Sequence, residues 1–311
     1  MGTPEEAVPS LTRLVRGGVD VAVCVSPPDV PAGRGRKHVE HPVKAAARSL
    51  GLKVVPTDDV NALADELRDL RLDAFVVVAF GQILSPTLLV IPRLGAFNLH
   101  FSLLPEYRGA APVQRALMAG EQTTGATVMA MSAEVDAGDI VLQDACPIAD
   151  ADNALTLKTK LAWLGADLLL KALALADKGE LPRHRQPSSP TSRARKLKKE
   201  ELLIRWQWPA SRIWGLVRAA APLPGAFTYL GSKRLKILQG RPVSSEGEAA
   251  VAGQILGLIP DGILAATGRG AFLVQEVQPE GGKRMGAAEF LRGARLKSAE
   301  AFSTPGDRSD G

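Results

Sequence analysis

The chain has 311 residues, 46% of them hydrophobic and 23% charged, which is enough to bury the cores of two domains and excludes a single small module. No apolar run approaches the roughly 18 to 20 residues that a membrane-spanning helix needs, and the first residues resemble no secretory signal, so we expect a cytoplasmic protein without a membrane segment. The two cysteines, Cys24 and Cys146, lie outside any zinc-ligand spacing, so we expect neither a disulfide framework nor a metal.

Positive charge is concentrated in the second half of the chain. Residues 1–180 hold 17 Lys and Arg against 22 Asp and Glu, a net of −5, whereas residues 181–311 hold 21 against 11, a net of +10. A basic module favours a polyanionic partner, because each cation near a phosphate releases condensed counterions. A solvated basic surface explains the same charge equally well, so charge alone leaves both interpretations open.

The first half alternates short apolar runs with helical patterns. The predicted strands, most of them apolar on both faces, cover residues 19–25, 53–56, 74–80, 95–101 and 126–132. The predicted helices cover residues 40–51, 62–71 and 113–121, and a long closing helix covers residues 154–180. This alternation predicts an α/β domain over residues 1–180, built on a wound, mostly parallel, Rossmann-like sheet.

The chain opens with a loop and the start of a helix, with no predicted strand before them. In a wound sheet such a loop follows a first strand, so either the sheet lacks a member or translation starts further upstream. We expect the upstream start, which mass spectrometry of the native N-terminus tests.

The composition changes after residue 180. Residues 181–205 are rich in Pro, Ser and basic residues and lack apolar periodicity, which indicates a linker. Residues 206–303 combine one helical segment with short strand-like runs separated by Gly and Pro, a pattern typical of a small β-barrel of the oligonucleotide-binding type. Residues 304–311 are expected to form a frayed tail.

Polar residues interrupt the apolar pattern at the end of the fourth predicted strand. Asn98 and His100 alternate there and lead into a polar loop, at the sheet edge where wound folds keep their binding sites. Asp136 and Asp139 follow the next predicted strand, so a carboxylate can approach His100. A base, a carboxylate and an amide donor suit acyl transfer to an amine. The competing interpretation is a structural histidine, which is the commoner role for a lone histidine at a strand end.

This stretch resembles the formyltransferases that use 10-formyltetrahydrofolate. Their hallmark is HxSLLPxYRG with an upstream Asn and a downstream DxGD, and here residues 98–109 read NLHFSLLPEYRG and residues 136–139 read DAGD. RGAAP (108–112) and TGAT (124–127) are similar to the methionyl-tRNA formyltransferases in particular. The resemblance covers nearly the whole chain, including residues 26–37, 79–84 and 218–226.

The resemblance implies a role for each of three residues. Asn98 is expected to hold the formyl oxygen as it becomes an oxyanion, and His100 to handle the protons of the attacking amine. Asp136 is expected to orient His100 and to stabilise its charge. No metal and no covalent intermediate is required. Phe101 stands where the family more often has a smaller residue or Pro, so we expect a narrower pocket.

The resemblance also implies contacts with the formyl donor, 10-formyltetrahydrofolate. Two segments are expected to make them: Ser102, Leu103, Leu104 and Pro105 in the loop after the catalytic histidine, and the backbone of Phe80, Gly81, Gln82, Ile83 and Leu84, which faces the pterin. Outside this context, SLLP indicates an ordinary tight turn.

Contacts with nucleic acid are expected from a flexible basic loop and from the linker. The loop of residues 31–37 contains Arg34, which stands where the family's loop reaches the tRNA acceptor end. The full predicted set is Arg34, Arg36 and Lys37 in the loop, and Arg195, Lys196, Lys198 and Lys199 in the linker. A solvated surface explains either group by itself.

Three functions compete at this point. The first is formyl transfer to the α-amine of methionyl initiator tRNA by a monomeric enzyme. The second is formyl transfer to a small amine, such as glycinamide ribonucleotide or an amino sugar, which explains the first domain but not the basic second one. The third is a nucleic-acid-binding protein with an inactive α/β half, against which the intact Asn98, His100 and Asp136 argue.

Overall fold

The computed structural model describes residues 1–32, 37–187, 192–244, 250–294 and 301–304. The chain divides into two compact units. The first contains Met1–Pro112, Thr123–Pro147 and Lys158–Ala194, and the second contains Val113–Gln122, Ile148–Leu157 and Arg195–Gly311. These units interleave along the sequence, so the domain boundaries at residues 180 and 205 stay a prediction. The predicted tail from residue 305 lies outside the described residues.

Helices and strands alternate through the first half of the chain, whereas most elements after residue 220 are strands. The strands of the first half are β1 (Cys24–Ser26), β2 (Val30–Ala32), β3 (Lys37–Val39), β4 (Val54–Pro56), β5 (Ala74–Val78), β6 (Gly95–His100), β7 (Thr123–Ala130) and β8 (Ile140–Pro147). The later strands are β9 (Ala226–Leu230), β10 (Lys233–Val243), β11 (Ile255–Ile259), β12 (Gly262–Ala266), β13 (Ala271–Pro279), β14 (Met285–Gly286) and β15 (Phe302–Ser303). The α-helices are α1 (Val8–Arg16), α2 (Pro42–Ser49), α3 (Ala64–Asp69), α4 (Pro86–Leu89), α5 (Pro112–Ala119), α6 (Ala154–Asp177), α7 (Ala210–Ala220) and α8 (Ala287–Ala294).

The central sheet of the first unit has the strand order β5-β6-β7-β8. Strand β6 runs parallel to β5, with Asn98 beside Val77, and antiparallel to β7, with His100 beside Thr127. Strand β8 is antiparallel to β7, because the nine-residue connection between them is too short for a parallel crossover. The β6 strand ends at His100, so the polar loop that follows lies at the sheet edge.

Strands β1 and β4 form a separate parallel pair. The first two residues of the chain lie between β1 and β5: the amide of Gly2 donates to the Val25 carbonyl at 3.2 Å, and the Met1 amine donates to the Val76 carbonyl at 2.8 Å. A cavity of about 670 Å³ beside them is lined by residues of both strands. Burial lowers the pKa of the Met1 amino group, because desolvation penalises its charged form.

The second unit is built around an antiparallel sheet with the order β11-β12-β13-β10-β9-β15. Trp206 is fully buried in its core, where its ring stacks on Phe302 with centroids 4.9 Å apart and its Nε1 donates to Thr228 Oγ1 at 2.9 Å. Helix α7 packs against β10. This curled antiparallel sheet confirms the predicted barrel-like C-terminal domain.

The predicted fold class, a Rossmann-like α/β domain with a small C-terminal β-barrel, is confirmed. The strands differ in detail. The strand predicted over residues 19–25 is observed as the shorter β1, Cys24–Ser26, and β2, β3 and β8 were not predicted. In β8 the central residues are polar and exposed, which interrupts the apolar alternation. In the described part of the chain, no helix combines the length and the apolar character needed to cross a membrane.

Candidate active site

His100 is fixed at the end of β6 by the loop that follows it. The ring is almost completely buried, and its Nε2 lies 2.9 Å from the backbone oxygen of Tyr107. A carbonyl oxygen only accepts hydrogen bonds, so Nε2 carries a proton. In the neutral ring, Nδ1 is therefore the nitrogen that can accept a proton.

Asp136 approaches the other nitrogen of the same ring. Its Oδ2 lies 3.7 Å from His100 Nδ1 and accepts a hydrogen bond from the backbone N–H of Gly109 at 2.9 Å. The 3.7 Å separation is too long for a hydrogen bond, but it places a negative charge beside the nitrogen that becomes protonated. Asp136 has a positive φ of 55°, so the loop between β7 and β8 turns sharply at this residue.

Asn98 lies two residues before His100 on β6, so its side chain projects from the same face of the strand. Its carboxamide makes no hydrogen bond to another described residue. An amide that is partly exposed and has no protein partner can donate to a ligand oxygen. The structure thus brings His100 and Asp136 within 3.7 Å of each other and places Asn98 on the same strand face as His100.

Gln186 holds the loop that carries Asp136, and the sequence analysis missed it. Its Nε2 donates to the backbone oxygens of Asp136 at 3.0 Å and Gly138 at 2.7 Å. Its Oε1 accepts from the Nε of Arg108 at 2.9 Å and from its Nη2 at 2.7 Å. Gln186 lies in the segment predicted as a linker, where a single glutamine among Pro and Arg residues gave no signal of this role.

The loop after His100 is held by hydrogen bonds among buried and partly buried groups. The Ser102 hydroxyl donates to the Glu106 carbonyl at 2.6 Å, and the Thr127 hydroxyl donates to the Ser102 carbonyl at 2.6 Å. The side chain of Gln143 donates to the Leu104 carbonyl at 2.7 Å. Ser102 and Leu104 are therefore part of the scaffold of the loop. Gln143 and Thr127 belong to this scaffold although the sequence analysis did not select them.

The other two residues of that segment, Leu103 and Pro105, are partly exposed. Phe101 is buried, so its ring occupies space inside the first unit next to His100.

The second predicted donor segment combines buried and exposed residues. Phe80 and Leu84 are buried in a core cluster, whereas the Ile83 side chain is 72% exposed. Gln82 ties the segment to the preceding loop, because its Oε1 accepts from the Val60 amide at 2.7 Å and its Nε2 donates to a backbone carbonyl. Gly81 is exposed.

A second exposed apolar side chain lies in the loop between β7 and β8, which carries Asp136. Val135, directly before Asp136, is 61% exposed. The sequence analysis did not select it, because a single apolar residue in a polar loop carries no pattern.

Comparison with known proteins identifies the family. The family model described as "Formyl transferase" matches residues 1–173, and the one described as "Formyl transferase, C-terminal domain" matches residues 196–295. The methionyl-tRNA formyltransferase of Pelotomaculum thermopropionicum is 44% identical over 301 residues, which cover 95% of each chain. That of Syntrophus aciditrophicus is 43% identical over 300 residues, which cover 96% of each chain. This chain belongs to the methionyl-tRNA formyltransferase family.

Solved structures share the fold at low sequence identity. An N-formyltransferase from Helicobacter canadensis, in complex with folinic acid and dTDP-3-aminofucose, has a TM-score of 0.63 and 19% identity, over 88% of this chain and 97% of that chain. HypX from Aquifex aeolicus, in complex with tetrahydrofolic acid, has a TM-score of 0.60 and 17% identity, over 82% of this chain and 47% of that chain. At this identity the likeness shows the fold alone.

In this member of the methionyl-tRNA formyltransferase family, the predicted cationic residues of the linker lie at the surface. The exposed side chains are Arg195, Lys196, Lys198 and Lys199. Among them, Lys199 begins a short 3-10 helix, Lys199–Leu202. Arg34 and Arg36 lie outside the described residues, as does the side chain of Lys37.

Proposed function

We propose that this protein transfers the formyl group of 10-formyltetrahydrofolate to the α-amino group of methionyl initiator tRNA, with Asn98, His100 and Asp136 as its catalytic residues. The observation that carries the proposal is the His100 ring. Its Nε2 is fixed by a backbone carbonyl, and its Nδ1 faces the carboxylate of Asp136 at 3.7 Å. The family to which the chain belongs indicates the reaction class, formyl transfer, and the geometry suggests the role of each residue.

His100 acts on protons. The amine nitrogen attacks the formyl carbon, a new carbon–nitrogen bond forms, and the carbonyl electrons move to the formyl oxygen. The amine must lose a proton, which His100 accepts at Nδ1, directly or through one water. The imidazolium formed in this way lies beside the Asp136 carboxylate, whose charge stabilises it. When the bond from the formyl carbon to the donor nitrogen breaks, the proton passes to that nitrogen.

Asn98 stabilises the charge on oxygen. The formyl oxygen becomes an oxyanion in the tetrahedral intermediate, and a side-chain amide that donates to it lowers the barrier. The Asn98 amide makes no hydrogen bond to another described residue, so its N–H groups are available for this role. Loss of one such donor typically costs about a hundredfold to a thousandfold in turnover.

The residues present fit a flat aromatic donor that supplies the formyl group. Ile83 and Val135 expose apolar surface in two loops of the first unit, and such surface favours contact with a pterin ring. The backbone of Phe80, Gly81 and Leu84 and the partly exposed Leu103 and Pro105 complete the proposed donor contacts. Ser102 and Leu104 support these contacts by holding the loop.

The proposed tRNA contacts are the exposed linker cations Arg195, Lys196, Lys198 and Lys199 together with the loop residues Arg34, Arg36 and Lys37. Cationic side chains suit the phosphate backbone, which positions a nucleic acid without reading its sequence. The reaction on charged tRNA assigns the protein to the cytoplasm, and we propose that it acts as a monomer.

The decisive experiment is a formyl-transfer assay with the purified protein. We expect turnover with 10-formyltetrahydrofolate and methionyl initiator tRNA, and much weaker turnover with methionyl elongator tRNA. His100→Ala is expected to reduce kcat by about two to four orders of magnitude, the usual size of a general acid–base effect. His184→Ala is the matched control, because the His184 side chain is exposed.

Other outcomes of this assay count against the proposal. Preferred turnover of glycinamide ribonucleotide or of an amino sugar would make the protein a small-amine formyltransferase. Transfer at the wild-type rate by His100→Ala would remove the catalytic role of the imidazole.

A further inference from the structure

A cavity of about 540 Å³ lies beside the loop between β7 and β8 and is lined by three arginines. They are Arg108, Arg183 and Arg185. Its wall also includes Ala137 and Gly138, which directly follow the catalytic Asp136. The mechanism proposed above assigns no role to this cavity. Its volume is within the range of small-molecule sites.

Arg108 is the strongest reason to expect a ligand. The residue is only 7% exposed, and its guanidinium donates to neutral acceptors: the carboxamide oxygen of Gln186 and the carbonyl of Pro187 at 3.0 Å. Within the described parts of the chain, no carboxylate lies within ion-pair distance of it. Buried arginines are almost always paired with an anion, because an isolated buried charge is costly. An anion that enters the cavity would supply the missing partner.

Arg183 and Arg185 add charge at the exposed side of the same cavity. They flank His184, whose amide donates to the Ile140 carbonyl at 2.9 Å and whose carbonyl accepts from the Ile140 amide at 2.8 Å. In such an extended segment, alternate residues project to the same side. Neither arginine forms an ion pair with another described residue. Both are exposed, so they are free to close on an anion.

Two carboxylates, those of Glu134 and Asp139, also line the cavity, which leaves it a net charge of +1 from three arginines and two acids. Neither acid forms an ion pair with the arginines. Arg183 and Arg185 therefore keep their guanidinium donors for another partner. Arg108 keeps only the donors of its Nη1, because its Nε and Nη2 donate to Gln186 and Pro187. Planar guanidinium donors match the two oxygens of a carboxylate or phosphate, so the cavity suits an oxyanion better than a neutral ligand.

We propose that this cavity is an oxyanion subsite of the enzyme, which holds either a backbone phosphate of the tRNA or a carboxylate of the glutamyl tail of the folate donor. The identity of the molecule that carries the anion rests on the proposed function. Because Ala137 and Gly138 follow Asp136, an anion bound here also fixes the loop that places the carboxylate beside His100.

The test uses the full-length double variant Arg183→Gln/Arg185→Gln, since both side chains are exposed and their replacement leaves Arg108 and Gln186 intact. The KM for methionyl initiator tRNA is measured at two salt concentrations, and the KM for the donor is measured with one and with three glutamates. We expect one of these two KM values to rise about threefold to tenfold, with kcat changed by less than about twofold, as for the loss of uniform binding. Arg16→Gln/Arg71→Gln is the matched control: it removes the same charge at exposed positions of the first unit.

The pattern of effects distinguishes the two sources of the anion. A higher KM for tRNA with a shallower salt dependence identifies a phosphate, whereas loss of the preference for the triglutamyl donor identifies a carboxylate. Unchanged KM values, or the same change in the control variant, would contradict the proposal that the cavity binds an oxyanion.

A second measurement does not depend on activity. Inorganic phosphate at millimolar concentration is expected to raise the Tm of the wild-type protein more than that of the double variant, because a ligand that binds only the folded state stabilises it. If the wild type lacks formyl transfer but shows this difference, the proposed function fails and the anion site stands. If neither the KM values nor the phosphate effect distinguishes the variant, the anion site fails.

Discussion

The Oδ2 atom of Asp136 lies 3.7 Å from His100 Nδ1 and at the same time accepts the backbone N–H of Gly109 at 2.9 Å. This single carboxylate oxygen therefore faces the His100 imidazole and also connects the loop of Asp136 to the loop that follows His100. A substitution can remove the negative charge of Asp136 and keep its hydrogen bond to Gly109, because an asparagine at this position still has an oxygen acceptor.

Asp136→Asn is expected to lower kcat by about a hundredfold to a thousandfold, because the imidazolium formed during transfer loses its neighbouring negative charge. The KM values and the Tm are expected to change little, since the hydrogen bond to Gly109 is kept. Steady-state kinetics and thermal unfolding measure both. Asp144→Asn, at an exposed position of β8, is the control.

The double variant His100→Ala/Asp136→Asn sharpens the same prediction. Residues that act as one unit give strongly non-additive effects, so the double variant is expected to be no slower than His100→Ala alone. Fully additive losses would mean that Asp136 acts independently of the imidazole.

Gln186→Glu is expected to reduce kcat by about tenfold to a hundredfold. The carboxylate can still accept from Arg108, but it cannot donate to the carbonyls of Asp136 and Gly138, which it instead repels. The loop would move away from His100 while the fold is kept. The matched control is Gln122→Glu at an exposed position. A purely structural role predicts a lower Tm with unchanged kcat, so the two readouts together decide.

Some of the site could be predicted from the sequence because its residues break a local pattern. Asn98 and His100 are polar residues at the end of an apolar strand, which marks them as candidates. The order of strands alone does not bring Asp136 to them, because β7 is antiparallel to β6 and its last residue, Ala130, pairs with Phe97. The contact depends on the course of the loop after β7. Gln186 could not be predicted, since it acts on carbonyls 50 and 48 residues earlier in the chain and its own segment has the composition of a linker. Arg108 was visible only as part of a motif, because its partner Gln186 lies 78 residues later in the chain.

Gly138→Ala is expected to disrupt the loop between β7 and β8, which carries Asp136. A Cβ at this position would lie 1.7 Å from the backbone oxygen of Ala130, and a backbone atom cannot move aside without shifting β7. We expect kcat to fall at least about a hundredfold, with a lower Tm. The control is Gly286→Ala, where nothing lies within 4 Å of the added carbon. Wild-type turnover in Gly138→Ala would show that the loop tolerates the shift.

The stability of the second unit is expected to fall in acid through Glu201. The hydrogen bond from Arg115, followed by the backbone bond from Lys198, lowers the pKa of Glu201. A depressed pKa contributes stability that is present above the unfolded value of roughly 4.3 and is lost as the pH falls through the folded value. Arg115→Met should therefore lower the free energy of unfolding at neutral pH and have less effect near about pH 3. Urea titrations at both pH values measure this, and equal losses at both would exclude the ion pair as the cause.

Lys196→Gln/Lys198→Gln tests the role of the linker cations in tRNA binding. Both side chains are exposed, so their replacement is expected to leave kcat and the Tm unchanged. If each contacts a phosphate, the slope of log K against log salt concentration becomes shallower by about 0.7 to 0.9 per lost contact, because fewer counterions are released. The KM for tRNA at low salt is expected to rise accordingly, while the KM for the donor stays constant. Lys171→Gln/Lys178→Gln removes the same charge from exposed positions of the first unit and is expected to leave the slope unchanged. An equal slope for all three proteins would mean that the linker lysines form only a solvated surface and that the tRNA follows another path.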